Sequence, residues 1–151
     1  MPATTARTRL VARLIALACI AFLGFAPASF ALEPYKKIVE IFEGNTTIAG
    51  EPLVFPSEEP GVKAIVVTLL PGERTAWHRH GTPLFGYVLE GALTVDYEGI
   101  GVKHFTAGSG FLEAMHVTHQ GGNEGTVPAR VLAVFFTGAE AEATITVDPP
   151  D

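Results

Sequence analysis

The five histidines of the chain all lie between positions 78 and 119. His78 and His80 are two residues apart, and in an extended strand such residues point to the same face. Their imidazoles can therefore reach one metal ion, which needs a further ligand from His104, His116 or His119. Because His116 and His119 are three apart, at most one of them is expected to join unless the segment turns. The spacing predicts a histidine site for a divalent transition metal such as Fe, Mn, Ni or Zn.

The elements that position these histidines are predicted to be strands. Short apolar or alternating runs recur between glycine, proline and asparagine turn signals, and no window outside the first thirty residues favours a long amphipathic helix. Turn signals every 8 to 12 residues are typical of an all-β sandwich or barrel. The predicted strands are 35–42, 62–70, 85–90, 92–97, 102–105, 111–112, 130–136 and 143–147. The segment 45–61 is expected to be either an irregular crossing or a weak strand at 53–55.

The N-terminal segment has the pattern of a secretory signal peptide. Three arginines precede an apolar run over residues 14–25, and small residues follow up to Ala31. The apolar run is too short to cross a bilayer core of roughly 30 Å comfortably. We expect cleavage after Ala31, which leaves residues 32–151 as one exported domain, secreted or periplasmic, with no stable membrane anchor.

Charge and cysteine content narrow the function classes. The chain has 10 Lys and Arg residues against 16 Asp and Glu residues, a net charge of −6. Because the predicted leader carries three arginines and no acid, its removal would change the net charge to −9. Such an acidic chain lacks the cationic face that nucleic-acid binding needs. The single cysteine, Cys19, lies in the leader, so the mature domain has no thiol for a disulfide or for catalysis.

Two stretches resemble the paired sequence motifs of the cupin superfamily. Gly72, His78-x-His80 and Gly91 resemble the first motif, and Gly108 through His119-x-x-x-Asn123 resembles the second. The resemblance implies a small antiparallel jelly-roll barrel over residues 32–151, with its motif core at 62–136. It also implies that His78, His80 and His119 bind the metal inside the barrel.

The sequence departs from the cupin pattern at positions that bear on the metal. The first motif normally supplies a glutamate where this chain has Leu84, and the second normally has Pro-x-Gly where this chain has Ala114 and His116. The resemblance thus implies three neutral histidine ligands without the first-motif carboxylate. Such a site leaves coordination positions open for water, dioxygen or substrate.

Several neighbouring residues are candidates for a supporting role. Glu113 is a candidate fourth ligand, a partner of a ligand imidazole, or a solvated strand residue, and the sequence favours the last. His116 is expected at the rim, with a ligand or proton-shuttle role as the alternative, and His104 is expected at the surface. Asn123 is expected to satisfy loop backbone groups rather than touch substrate. The candidate pocket residues are Leu84, Phe85, Tyr87, Phe111 and Met115.

The resemblance leaves two classes of function open, because one fold hosts many chemistries. The first is a metal-dependent, dioxygenase-like enzyme acting on a small phenol, enol or acid, which is favoured over an isomerase. The second is a non-catalytic protein of the cell envelope that binds a metal or a small ligand, or a cupin that has lost its metal. Pairing of cupins through strand edges or sheet faces also makes a homodimer an expectation.

Overall fold

The computed structural model describes residues 37–139 and 142–151, which form nine strands and contain no helix. The predicted leader, residues 1–31, lies outside this part of the chain. The strands are β1 (Gly61–Leu69), β2 (His78–Arg79), β3 (Leu84–Glu90), β4 (Ala92–Tyr97), β5 (Gly101–Thr106), β6 (Gly110–Leu112), β7 (His119–Gly122), β8 (Ala129–Thr137) and β9 (Ile145–Thr146). Within the described ranges there is also no helix long and apolar enough to cross a membrane.

The strands form two antiparallel sheets. One sheet has the order β1-β8-β3-β6, and the other has the order β5-β4-β7-β2-β9. Strands that pair with each other are often distant in the sequence. For example, β1 pairs with β8 over nine residues, from Gly61 opposite Thr137 to Leu69 opposite Ala129. This architecture confirms the predicted all-β, jelly-roll fold class.

The interior is built by alternation along the strands. In β8, Ala129, Val131, Ala133 and Phe135 are buried, whereas the residues between them are partly exposed. The facing sheet contributes Leu93, Val95 and Tyr97 of β4 to the same hydrophobic cluster as Val131. Because side chains on a strand alternate between faces, this period-2 pattern places the core between the two sheets.

The turn after β3 depends on a glycine. Gly91 has a φ of 70°, a conformation that side chains with a Cβ rarely adopt. A Cβ at this position would also lie 2.5 Å from the carbonyl oxygen of Pro128. The glycine therefore permits both the tight turn into β4 and the close passage of the segment before β8.

Most predicted strands are present within one or two residues, and the exceptions have physical causes. Residues 37–42 of the predicted 35–42 strand are irregular, and residues 35–36 lie outside the described part. Of the two alternatives for 45–61, the irregular crossing is correct, since that region forms only an isolated bridge between Thr46 and Pro52. No predicted strand corresponds to β7, because its His-Gln-Gly-Gly sequence has low strand propensity. Pairing with β4 and with β2 holds this segment in the sheet.

Candidate metal centre

Three histidines from two adjacent strands converge inside the barrel. His78 on β2 lies directly opposite His119 on β7, and His80 immediately follows β2. One ring nitrogen from each of the three lies within 4.8 Å of those of the other two. The ring centroids are 4.4 Å apart for His78 and His119 and 5.0 Å apart for each pair that includes His80. The structure thus brings together the three residues that the cupin resemblance selected.

Each of these imidazoles is oriented by a backbone carbonyl. The Nδ1 atoms of His78, His80 and His119 donate to the carbonyl oxygens of Ala76, Ala143 and Val117 at 2.8, 2.9 and 2.8 Å, respectively. A neutral imidazole whose Nδ1 carries the proton has its lone pair on Nε2. The three Nε2 atoms are therefore the free donor atoms, held in the tautomer that a metal ligand requires.

Burial keeps the three rings neutral. Desolvation lowers the pKa of His78 and of His119 below the ordinary value, and it lowers the pKa of His80 to about 3. In each case the carbonyl contact at Nδ1 opposes this effect without overcoming it. The histidines can therefore offer lone pairs at neutral pH without first losing a proton.

A buried carboxylate lies beside the histidine cluster. Glu113 Oε1 accepts a hydrogen bond from the hydroxyl of Tyr97 at 2.6 Å and one from the backbone N–H of Ala114 at 2.8 Å. Its other oxygen, Oε2, lies 3.9 Å from Nε2 of His119. The expectation that Glu113 would be solvated is wrong: it has the same strand parity as Phe111 and points inward with it.

These atoms fit a cation. His119 Nε2 is buried and has no hydrogen-bond partner, although its lone pair faces a carboxylate oxygen. A buried ring nitrogen beside a carboxylate oxygen stays unsatisfied unless a positive centre or a proton lies next to it. Three neutral imidazoles with an adjacent carboxylate match the ligand preferences of divalent transition metals.

The histidines and Glu113 line one side of a cavity of about 250 Å³. The rest of its wall is mostly hydrocarbon, from residues of both sheets such as Val67, Leu84 and Val95. Leu84 and Phe111, two of the candidate pocket residues, line this cavity. Leu84 therefore occupies, with an apolar side chain, a position on the wall of the candidate site.

Three other pocket candidates lie elsewhere. Phe85 and Tyr87 do not line the cavity, because Leu84 and Gly86 do, and neighbouring residues on a strand point to opposite faces. The ring of Phe85 instead packs 5.5 Å from that of Phe42. Met115 is also absent from the cavity wall, and its carbonyl accepts a hydrogen bond from the backbone N–H of His80.

The remaining polar candidates occupy the loops or the surface. His116 is exposed and His104 is exposed, with Nδ1 of His104 lying 3.0 Å from Thr94 Oγ1. Asn123 is 1% exposed, and its amide nitrogen donates to the carbonyls of Leu69 and Val127. The prediction that Asn123 satisfies loop backbone groups is confirmed.

Sequence reasoning missed two residues that support the site. Tyr97 lies on the predicted strand β4 and faces the same side as Leu93 and Val95. Its inward direction could therefore be predicted from the alternation. Glu51 could not be predicted, because its contacts with the loop before His119 join residues more than sixty positions apart. Its carboxylate accepts hydrogen bonds from the backbone N–H groups of Met115 and His116 at 2.8 and 2.9 Å.

Glu51 acts as a clamp on the loop before His119. Burial works to raise its pKa, but the donors from Met115, His116 and Thr47 outweigh burial and hold the pKa below its ordinary value. The clamped loop also supplies the Met115 carbonyl that receives the backbone N–H of His80, at 2.9 Å. The carboxylate of Glu51 thus fixes a segment that connects two of the three histidines.

Comparison with known proteins agrees with the fold. Residues 65–135 match the family model described as the cupin domain. The chain thus contains a cupin-domain match over residues 65–135. No curated protein matches the sequence.

Solved structures with the same fold include oxalate decarboxylases. The Lactobacillus farciminis enzyme, in a formate complex, is 22% identical with a TM-score of 0.50, and the match covers 57% of this chain and 26% of that chain. An oxalate decarboxylase of Bacillus subtilis, described as having Mn(II) centres, is 20% identical with a TM-score of 0.51, covering 60% and 24%. The chain thus spans about a quarter of the length of these enzymes, and at this identity the likeness shows the fold.

Proposed function

We propose that this cupin binds one divalent transition metal through Nε2 of His78, His80 and His119 and acts on a small organic molecule in a dioxygenase-like reaction. The observation that carries the proposal is the convergence of three free Nε2 atoms whose opposite ring nitrogens are each held by a carbonyl. A chance cluster of histidines has no reason to share one tautomer and one direction.

Further support comes from the buried lone pair of His119 and from a fold relative. An unpartnered Nε2 at 3.9 Å from a carboxylate oxygen is costly unless a cation or proton fills the gap. The Bacillus subtilis oxalate decarboxylase, whose fold is similar, is described as having Mn(II) centres. The donor set accepts Fe, Mn, Ni or Zn, and the identity of the metal is left to experiment.

The residues around the cluster suit a substrate site. When bound, a redox-active metal would supply Lewis acidity and an electron source for oxygen chemistry at its open positions. Leu84 contributes no ligand atom, so the protein contributes three imidazoles. The mostly apolar wall would let a bound substrate displace water, which would strengthen electrostatic interactions there.

We also propose that the cupin acts outside the cytoplasm. The basic segment, the short apolar run and the small residues ending at Ala31 support export, with residues 32–151 as the mature domain. The mature domain would contain no cysteine, which suits an oxidising compartment. The homodimer stays a prediction.

Oxygen uptake by the Fe²⁺-loaded protein tests the enzymatic part of the proposal. We expect uptake that depends on substrate with at least one of a panel of catechols, flavonols and β-diketones. His80→Ala should abolish this uptake, whereas His104→Ala, which changes an exposed histidine, should not. Metal binding without uptake across the panel would instead favour the non-catalytic binding protein.

A further inference from the structure

The cavity wall is the part of the site that selects a ligand, and it is largely hydrocarbon. Apolar side chains from both sheets line the space together with the histidines. They include Val67, Leu84, Leu93, Val95, Val131 and Phe135. A ligand that enters this space therefore exchanges water for apolar contacts over most of its surface.

The polar groups on the wall carry no positive charge besides the metal that the histidines would hold. Among the described residues that line the cavity there is no lysine or arginine, and the polar ones are the three histidines, Glu113 and three threonines. The ammonium group of Lys63 lies 5.9 Å from the ring centroid of Phe135, on an exposed side chain. The wall thus offers an anion no buried cationic partner.

These features penalise small acids. The outer carboxylate oxygens of an oxalate held at the histidines would meet a wall that is mostly hydrocarbon and has no cationic side chain, and burying an unpaired charge is strongly unfavourable. An uncharged molecule with an apolar body instead gains about 25 cal/mol for each Å² that it buries.

The size of the space adds a second restriction. A cavity of about 250 Å³ lies just below the roughly 300–1,000 Å³ that is typical of small-molecule pockets. It therefore suits a compact molecule, of the order of one ring.

We infer that the ligand of this site is a compact, uncharged organic molecule with an apolar body and oxygen donors at one end, as in phenols and enols, and that small carboxylic acids are disfavoured. The inference rests on the proposed function, because the histidines are taken to hold the metal that meets the oxygen donors. It differs from what the fold relatives suggest, since the two enzymes named above are oxalate decarboxylases.

The first test compares neutral and anionic ligands on the metal-loaded protein. With Co²⁺ bound, calorimetric titration should give acetylacetone and catechol dissociation constants at least about tenfold lower than those of oxalate and formate. The metal content is measured after each titration, so that removal of the ion by oxalate is not counted as binding. Equal or tighter binding of oxalate or formate would overturn the inference.

A parallel test without metal separates this inference from the proposed function. Ligand-observed NMR compares phenol with benzoate, which have similar apolar bodies and differ in charge near neutral pH. Preference for phenol supports the inference even if the protein retains no metal. The absence of retained metal would contradict the proposed function and not the inference. Preference for benzoate, or binding of neither, overturns the inference.

Two substitutions on one strand test the role of the wall. Ile65 lines the cavity and is 39% exposed, whereas its neighbour Val66 is 47% exposed and is absent from the wall. Ile65→Lys should shift the ratio of acid to neutral affinity toward acids by roughly fivefold, and Val66→Lys should leave it unchanged. Thermal unfolding checks that both variants fold. Equal effects of the two lysines, or none from Ile65→Lys in the folded protein, would contradict the assignment.

Discussion

The hydroxyl of Tyr97 donates a 2.6 Å hydrogen bond to Oε1 of Glu113, and both side chains are buried beside the histidine cluster. Tyr97 lies on β4 and Glu113 immediately follows β6, so their contact exists only in the folded barrel. Burial raises the pKa of Tyr97 well above its ordinary value, and Glu113 raises it further. Tyr97 therefore remains a donor and orients one oxygen of Glu113, which leaves the other facing His119.

Glu113 gives the metal-free protein a characteristic pH dependence. Burial raises its pKa from 4.5 to about 7, against the hydrogen bonds from Tyr97 and Ala114. Between these two pKa values the folded state retains a proton that the unfolded state has lost. Protonation of Glu113 therefore stabilises the folded state, and this stabilisation is lost as the pH rises. Glu113→Gln cannot titrate. Its free energy of unfolding relative to wild type should therefore increase from pH 4.5 to pH 8, by on the order of 3 kcal/mol.

Urea unfolding of both proteins at a series of pH values measures this difference, and other titrating groups cancel between them. A difference that stays constant over the range would show that Glu113 ionises normally in the fold.

Glu51 should matter although it lies outside the cavity. Glu51→Gln keeps the size of the side chain and removes the charge that receives the N–H groups of Met115 and His116. We expect a loss of about 1–3 kcal/mol in unfolding free energy and weaker metal retention, because the clamped loop contacts His80.

Glu124→Gln is the matched control for Glu51. Glu124 pairs with Arg74 at 2.8 Å, but both side chains are about half exposed, and such surface pairs contribute about 0–1 kcal/mol. Chemical denaturation and metal titration of the two variants should therefore differ. Equal losses would show that the Glu51 clamp has no special role.

Asn123 should affect folding without affecting the metal. Its side chain donates to the carbonyls of Leu69 and Val127 and accepts from the backbone N–H of Gly125. Asn123→Ala leaves these groups unpaired, so we expect a loss of about 2 kcal/mol or more in thermal or urea unfolding. Metal content per folded chain should stay the same, and a selective loss of metal would place Asn123 in the site.

Leu84→Glu tests the departure from the cupin pattern. Leu84 is 6% exposed and lines the cavity, so a carboxylate placed there would face the histidines. An added anionic ligand should tighten metal retention, measured as slower loss to a chelator. Phe85→Glu is the control, because Phe85 points to the opposite face. Equal retention in wild type and Leu84→Glu would mean that position 84 does not reach the metal.

The sequence predicted most of the strands and the three histidines because both follow local rules. Alternation identified β3, β4 and β8, and the paired cupin motifs placed His119 with His78 and His80. The same alternation should have separated Leu84 from Phe85 and Tyr87. Position 84 faces one side of the strand, and positions 85 and 87 face the other, so the three side chains cannot line the same cavity. The contact of Glu51 with the loop before His119 could not be predicted, because no local pattern links residues sixty-four positions apart.

The metal content of the protein, purified without a histidine tag, tests the central claim most directly. After loading with Fe²⁺, Mn²⁺, Ni²⁺ or Zn²⁺ and dialysis, mass spectrometry of the metal should give about one equivalent per chain for at least one of these ions. His80→Ala should lower this value below about a tenth of an equivalent, whereas His104→Ala should retain it. Less than about a tenth of an equivalent in the wild-type protein with every ion would contradict the three-histidine metal site.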